Sequence, residues 1–245
     1  MKIDLSTING GGIDHQLSNF RTIIQYCYQN KLKLIKPIFI LTGFHNYKKV
    51  VHTDLSDYFD LNNIKVNEEK FELYDDNDEM EYTVKKKIYK GQLLINDDMF
   101  KNMKTFTLNM SPTDEIMNIA RQISLKLNNN YMCVHVRRGD LVRNEQIDLD
   151  TQPDNIQKVI SKYNPESTYI MTNKIDEIKA LRANKNLYFY TDFELLKNIT
   201  DNYYLYIIEK TIMKSAKIKC STFNIKLTYK NHDYYDCYLT NQTRT

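Results

Sequence analysis

With only six glycines and four prolines in 245 residues, the chain has little room for long flexible linkers. No apolar run approaches the roughly 18 residues of a membrane-spanning helix. The opening MKIDLSTINGGG lacks the charged segment and roughly 7 to 15 apolar residues of a secretory signal. Charge of one sign is also missing, because 34 Lys and Arg stand against 31 Asp and Glu, a net +3. A nucleic-acid binder concentrates a basic face, so no nucleic-acid partner is expected and any anion chemistry has to be local. The four cysteines, Cys27, Cys133, Cys220 and Cys237, are scattered with no CxxC spacing. That excludes the ordinary paired motifs for zinc or redox work, and buried, reduced thiols are expected. Sequons stand at Asn109, Asn198 and Asn241, but without a signal they predict no glycan. The expected setting is cytoplasmic, with no membrane span.

What is present is an alternation of apolar runs with two different periods. The 42% hydrophobic content suffices for a core, in one large domain or two small ones. DLSTI reads as a first strand ending at Gly10, Gly11 and Gly12. Over residues 16–30, Leu17, Phe20, Ile23, Ile24 and Cys27 recur at helical spacing. KLKLIKPIFIL follows as a strand interrupted or edged by Pro37. SDYFDLNNIKV suggests a short helix and a strand, and YDDNDEMEYTVKKKIYK reads as a solvated charged face. Next comes a helix capped by Ser111 or Thr113 that presents Ile116, Ile119, Ala120, Ile123 and Leu127. The strands YMCVHV, STYIMT, NLYFYTD and AKIKC then alternate with helices near 155–162, 175–182 and 203–215. Such alternation predicts an α/β protein with largely parallel sheets. We divide it into two halves, residues 1–125 and 126–245.

Several strand ends carry chemistry. In YMCVHVRRGDLV, period-two alternation puts Cys133, His135 and Arg137 on one face and Val134, Val136 and Arg138 on the other. Ligands of parallel sheets bind outside the carboxyl ends of strands, where a guanidinium grips phosphate oxygens bidentately. An exposed ion pair between Arg138 and Asp140 is the alternative. In AKIKCSTF, Ser221 and Thr222 stand where a new helix would begin, suited to capping it or to holding an anion at its free amides. GGGIDHQ, with Gly11, Gly12, Asp14 and His15, is a glycine-rich turn between strand and helix, either a phosphate cradle or a tight turn. Asp192, at the end of YFYTD, suits a ribose hydroxyl or a helix cap.

In this order the blocks resemble the GDP-fucose-dependent fucosyltransferases, the superfamily of protein O-fucosyltransferases and α1,2- and α1,6-fucosyltransferases. VHVRRGD is similar to that family's HxRxGD signature. GGGIDHQLSNFRTIIQYCYQNKLKLIKP is similar to its opening Gly-Gly and Asn-Gln turn, helix and strand. TYIMTN and YFYTDF look like its middle strands, and AKIKCSTF like its final Ser-(Ser/Thr)-Phe block. The resemblance implies a GT-B-like fold, two Rossmann-like halves facing across a cleft, with the nucleotide on the C-terminal half and the acceptor on the N-terminal half. It implies that Arg137 holds the diphosphate, that His135 and Asp192 contact guanine or ribose, and that Ser221 and Thr222, with Phe223 beside them, bind the phosphates. Gly11 and Gly12 would approach the donor, and Asp14 and His15 are candidates for a base.

The implied activity is inverting, metal-free transfer of fucose from GDP-fucose to a hydroxyl of a glycan or protein, with no cofactor besides the donor substrate. Two positions depart from the pattern: His15 stands for the family's Asn, and Asn224 for its usual Ser. Alternatives are another GDP-sugar donor, or a module that binds nucleotide or glycan without turnover. A metal-dependent enzyme would need Asp148-Leu149-Asp150 as its metal motif, which lacks a clear preceding strand.

Overall fold

The computed structural model describes residues 2–4, 7–9, 13–36, 38–41, 51–74, 83–85, 88–89, 92–93, 106–138, 148–149, 151–221 and 236–239. The helical spacing near the amino terminus becomes the helix Ile13–Gln29, whose stripe of Leu17, Phe20, Ile23, Ile24 and Cys27 is buried. Each such side chain contributes about 1.5 to 3 kcal/mol when fully removed from water. After the helix, Lys31 takes a left-handed φ of 53°, which turns the chain into the strand Lys33–Ile35.

By contact, the chain forms two units: Met1–Asp114 with Asp201–Tyr204, and Glu115–Thr200 with Leu205–Thr245. In the first, a parallel sheet has the order Leu73–Tyr74, Lys33–Ile35, Lys2–Asp4, Thr83–Lys85. A second sheet pairs Thr7–Asn9 with Ile38–Leu41 in parallel and adds Val51–Thr53 antiparallel. The expected first strand is thus two strands in two sheets, and so is the run around Pro37. Proline supplies no N–H, so a hydrogen-bond ladder does not continue through it; Pro37 itself lies outside the described residues. The short helix expected in SDYFDLNNIKV is instead a pair of 3-10 turns, Leu55–Asp57 and Leu61–Asn63. The Asp54 and Asp60 carboxylates cap them by accepting from the Ser56 and Asn62 N–H groups at 2.9 and 3.1 Å.

The second unit follows the sequence pattern more closely. The helix Asp114–Lys126 buries Ile116, Ala120 and Ile123. It ends where Asn128 and Asn129 adopt φ of 61° and 54°, and the strand Tyr131–Val136 begins. Five strands then run in the order Leu187–Tyr188, Ser167–Thr172, Tyr131–Val136, Ile218–Ser221, Asp236–Leu239. The first four are parallel and the last is antiparallel. Met132, Val134, Val136, Ile170 and Cys220 join one core with Ile156 and Ile160 of the helix Pro153–Tyr163 and with Ile178 and Leu181. On the other face, the Tyr131 hydroxyl donates to the Ile212 carbonyl at 2.6 Å, which ties the helix Asn202–Ser215 over the sheet.

Three expectations are corrected here. NLYFYTD contributes only the strand Leu187–Tyr188, because the Asp192 carboxylate accepts from the Phe189 N–H at 2.7 Å and draws Tyr190–Asp192 into a 3-10 turn. The helix expected over 175–182 is α-helical only over Ile175–Ile178 and continues as a 3-10 segment, Lys179–Ala183. The cysteines are not all reduced: Cys27 and Cys133 are free thiols, but Cys220 is disulfide-bonded, and its register partner on the antiparallel strand is Cys237. Among the described residues no helix is long and apolar enough to cross a membrane.

Candidate functional site

Parallel pairing brings two of the motifs together. His135 stands in register with Met171 on one side and with Ser221 on the other, neighbours across strands spaced about 4.8 Å apart. Both lie at the carboxyl ends of their strands, and Arg137 follows His135 by two residues, just past the strand. His135, Arg137 and Ser221 are all half-buried, accessible to a ligand yet close to a low-dielectric core. Ser221 is the last residue of the strand Ile218–Ser221 rather than the start of a helix. Its chemistry is therefore that of a hydroxyl in a strand-end row. Asp236, which the motif reading passed over, is the register partner of Ser221. No sequence signal marked it, because the antiparallel strand that carries it was not foreseen.

Arg138 points elsewhere. It is 6% exposed. Its Nε donates to Glu177 Oε2 at 2.7 Å, and one terminal nitrogen donates to the Thr151 carbonyl at 3.0 Å and hydroxyl at 2.7 Å. The other terminal nitrogen pairs with the Asp148 carboxylate. Asp140, the partner considered for Arg138, lies outside the described residues. Asp148, the first acid of the rival metal motif, is thus committed to Arg138 and accepts from Gln152 Nε2 at 3.2 Å; Asp150 lies outside the described residues. Among the described residues no group of three or more His, Cys, Asp or Glu side chains is placed to hold a metal ion.

Asp192 lies beyond the edge strand Leu187–Tyr188. Besides the Phe189 N–H, it accepts from Arg182 at 2.7 Å, and the same guanidinium donates to Thr191 Oγ1 at 2.7 Å while standing 4.8 Å over the Phe189 ring. Arg182 was not singled out from the sequence, since it sits ten residues away in what reads as an ordinary helix. Asp14 is exposed in the first turn of the helix Ile13–Gln29, where an acid suits the positive end of the helix dipole. His15 lies in the same turn by its backbone; its side chain, together with Gly11, Gly12, Thr222 and Phe223, lies outside the described residues. Neither free thiol is a poised nucleophile, since burial pushes Cys27 up to about 12 and raises Cys133 well above the usual thiol value. A groove of about 680 Å³ in the first unit, lined by Tyr28, Glu69, Phe71, Tyr74 and Phe106 among others, has none of the candidate site residues in its lining.

No family model matches this chain, and no curated protein matches it in sequence. Solved structures do match in shape. A crystal structure of POFUT1 in complex with GDP aligns over 90% of this chain and 89% of its own, with a TM-score of 0.52 and 10% identity. A crystal structure of NodZ alpha-1,6-fucosyltransferase soaked with GDP-fucose aligns over 97% of this chain and 98% of its own, also with a TM-score of 0.52 and 10% identity. The fold is the GT-B-like α/β fold. At so low an identity the likeness speaks for the fold alone, and the chemistry has to be argued from the strand-end residues.

Proposed function

We propose that this chain is an inverting glycosyltransferase that moves fucose from GDP-fucose to a hydroxyl of a glycan or protein without a metal ion. The observation that carries this reading is the row of His135 and Ser221 in register, with Arg137 just beyond, at the carboxyl ends of adjacent parallel strands. The motif resemblance puts the phosphates on Arg137 and Ser221 and guanine or ribose on His135, and two structures of this fold were determined with GDP or GDP-fucose. Residues 126–245 take the donor in this reading, and residues 1–125 serve the acceptor.

As the bond from the sugar C1 to the β-phosphate oxygen breaks, its electron pair passes to the leaving GDP. The acceptor oxygen attacks C1 from the opposite face and loses its proton to a base, for which Asp14 and His15 are the candidates. Arg137 and the Ser221 hydroxyl stabilise the charge that gathers on GDP. Preorganised groups of this kind are each worth about 3 to 4 kcal/mol at the transition state.

The direct test is GDP release from GDP-fucose in the presence of candidate glycan and protein acceptors. Arg137→Ala is expected to lower the rate about a hundredfold or more, and a chelator is expected to leave the wild-type rate unchanged. Retention of most activity by Arg137→Ala would remove that residue from the mechanism. Because the gathered residues read diphosphate better than sugar, a second GDP-sugar as donor is the runner-up. Thermal shifts across a panel of nucleotide sugars separate the two.

A further inference from the structure

One step of two residues below the His135 and Ser221 row, toward the amino ends of the same strands, lies a second row in which Tyr169, Cys133 and Lys219 stand in register. Glu209, from the helix Asn202–Ser215, closes over it. It is 5% exposed and accepts a hydrogen bond from the Tyr169 hydroxyl at 2.8 Å. A carboxyl group this deep in a core is unusual, and the transfer chemistry above makes no use of it. Burial pushes Glu209 up to about 8, while the bond from Tyr169 pulls it down.

Tyr169 and Cys133 interact with it directly, Lys219 stands beside Cys133 in register, and Asp192 acts on Tyr169. Tyr169 and Cys133 are both raised, first by burial and then by the charge of Glu209. Lys219 is lowered, first by burial and then by Lys214. Asp192 adds negative charge felt by Tyr169, whose ring also packs 6.0 Å from that of Phe193. Tyr169 and Cys133 thus keep their protons where Glu209 begins to lose its own.

We propose that Glu209 is a positioning residue of the donor site, whose charge state sets the site's affinity for a diphosphate. This rests on reading the strand-end row as a GDP-sugar site. Neutral Glu209 packs under the row as a hydrogen-bond acceptor and adds no charge. Ionised Glu209 puts a negative charge against the hydroxyl of Tyr169, whose own row lies roughly 7 Å of strand length below the upper one. There the low dielectric strengthens its repulsion of the phosphates, and salt screens it little.

The experiment is calorimetric titration of the full chain with GDP at several values between about pH 6 and pH 9.5, for wild type, Glu209→Gln and Tyr169→Phe. Gln keeps an acceptor for Tyr169 and cannot ionise. Dividing the wild-type Kd by that of Glu209→Gln cancels the titration of GDP itself. The ratio is expected to stay near one at low pH and to rise about tenfold, with a midpoint near 8. Tyr169→Phe removes the bond that lowers Glu209, so its midpoint should move to higher pH. A ratio that does not change with pH overturns the inference while leaving the donor site standing. If Glu209→Gln does not fold, an unshifted midpoint in Tyr169→Phe overturns it instead. No GDP binding at any pH, in any of the three proteins, overturns the reading of the donor site itself.

Discussion

At the scale of single residues, the pair Arg137 and Arg138 shows how one rung of alternation separates two roles. Arg138 distributes its guanidinium over Asp148, Thr151 and Glu177, and its own N–H reaches Asn173 Oδ1 at 3.4 Å. It fastens Asp148, Thr151 and the helix Ile175–Ile178 to the end of the central strand. The acids it pairs with are themselves 43% and 37% exposed, so solvent takes over part of their charge when the arginine is removed. Arg138→Ala is accordingly expected to cost about 2 to 3 kcal/mol of unfolding free energy. Arg137→Ala should cost about 1 kcal/mol or less and lose transfer activity. Urea denaturation of both variants checks this, and equal losses would mean that both arginines serve the fold. HVRRGD made the strand end legible as a candidate site, and period two placed Arg137 with His135. The partners of Arg138 were not legible, because Glu177 is 39 residues away and only the packing of the helix Ile175–Ile178 brings it near.

At the scale of elements, the strand-end row proposed for the donor depends on the strand Ile218–Ser221 being held in register between the central strand and the antiparallel strand Asp236–Leu239. Cys220, one residue before Ser221, is disulfide-bonded. A disulfide persists in an oxidising compartment, so the expectation of a cytoplasmic setting loses the support it drew from reduced cysteines. Cys220→Ala is expected to lower stability by about 2 to 4 kcal/mol and to speed amide exchange in Ile218–Ser221. Denaturation with and without a thiol reductant is the check, and a wild-type midpoint that ignores the reductant would argue against a structural bond there. Scattered cysteines show no spacing signal, which is why the bond was not foreseen. The edge strand itself was hidden for the same reason: DCYL has no extended apolar run, and its partner supplies the order.

At the scale of the whole molecule, the likeness to POFUT1 and NodZ runs along nine-tenths or more of the chain at 10% identity. Such a fold is kept by pattern and packing far more than by particular side chains. A ligand that binds the native state and not the unfolded one stabilises the whole cooperative structure. GDP at about a hundred times its Kd is therefore expected to add about 2.7 kcal/mol to the unfolding free energy of the wild type. At the same concentration it should add much less to Arg137→Ala. Adding a chelator should not change the wild-type gain if the phosphates are held by Arg137 and Ser221. A gain that disappears with chelator would assign the charge neutralisation to a metal ion.

The sequence by itself determined the alternation of elements in the second unit, the buried stripes of the helices Ile13–Gln29 and Asp114–Lys126, and the strand-end position of His135 and Arg137. These depend on local periodicity and on steric limits that act within a few residues. Only the tertiary structure decided that the chain parts into separate sheets on either side of Pro37 and that Ser221 lies beside His135. It also decided that Arg138 is spent on the fold, and that Glu209 lies buried against the Tyr169 hydroxyl. Those facts depend on sheet register and on burial, which arise when segments tens of residues apart pack together. Local spacing carries no record of them.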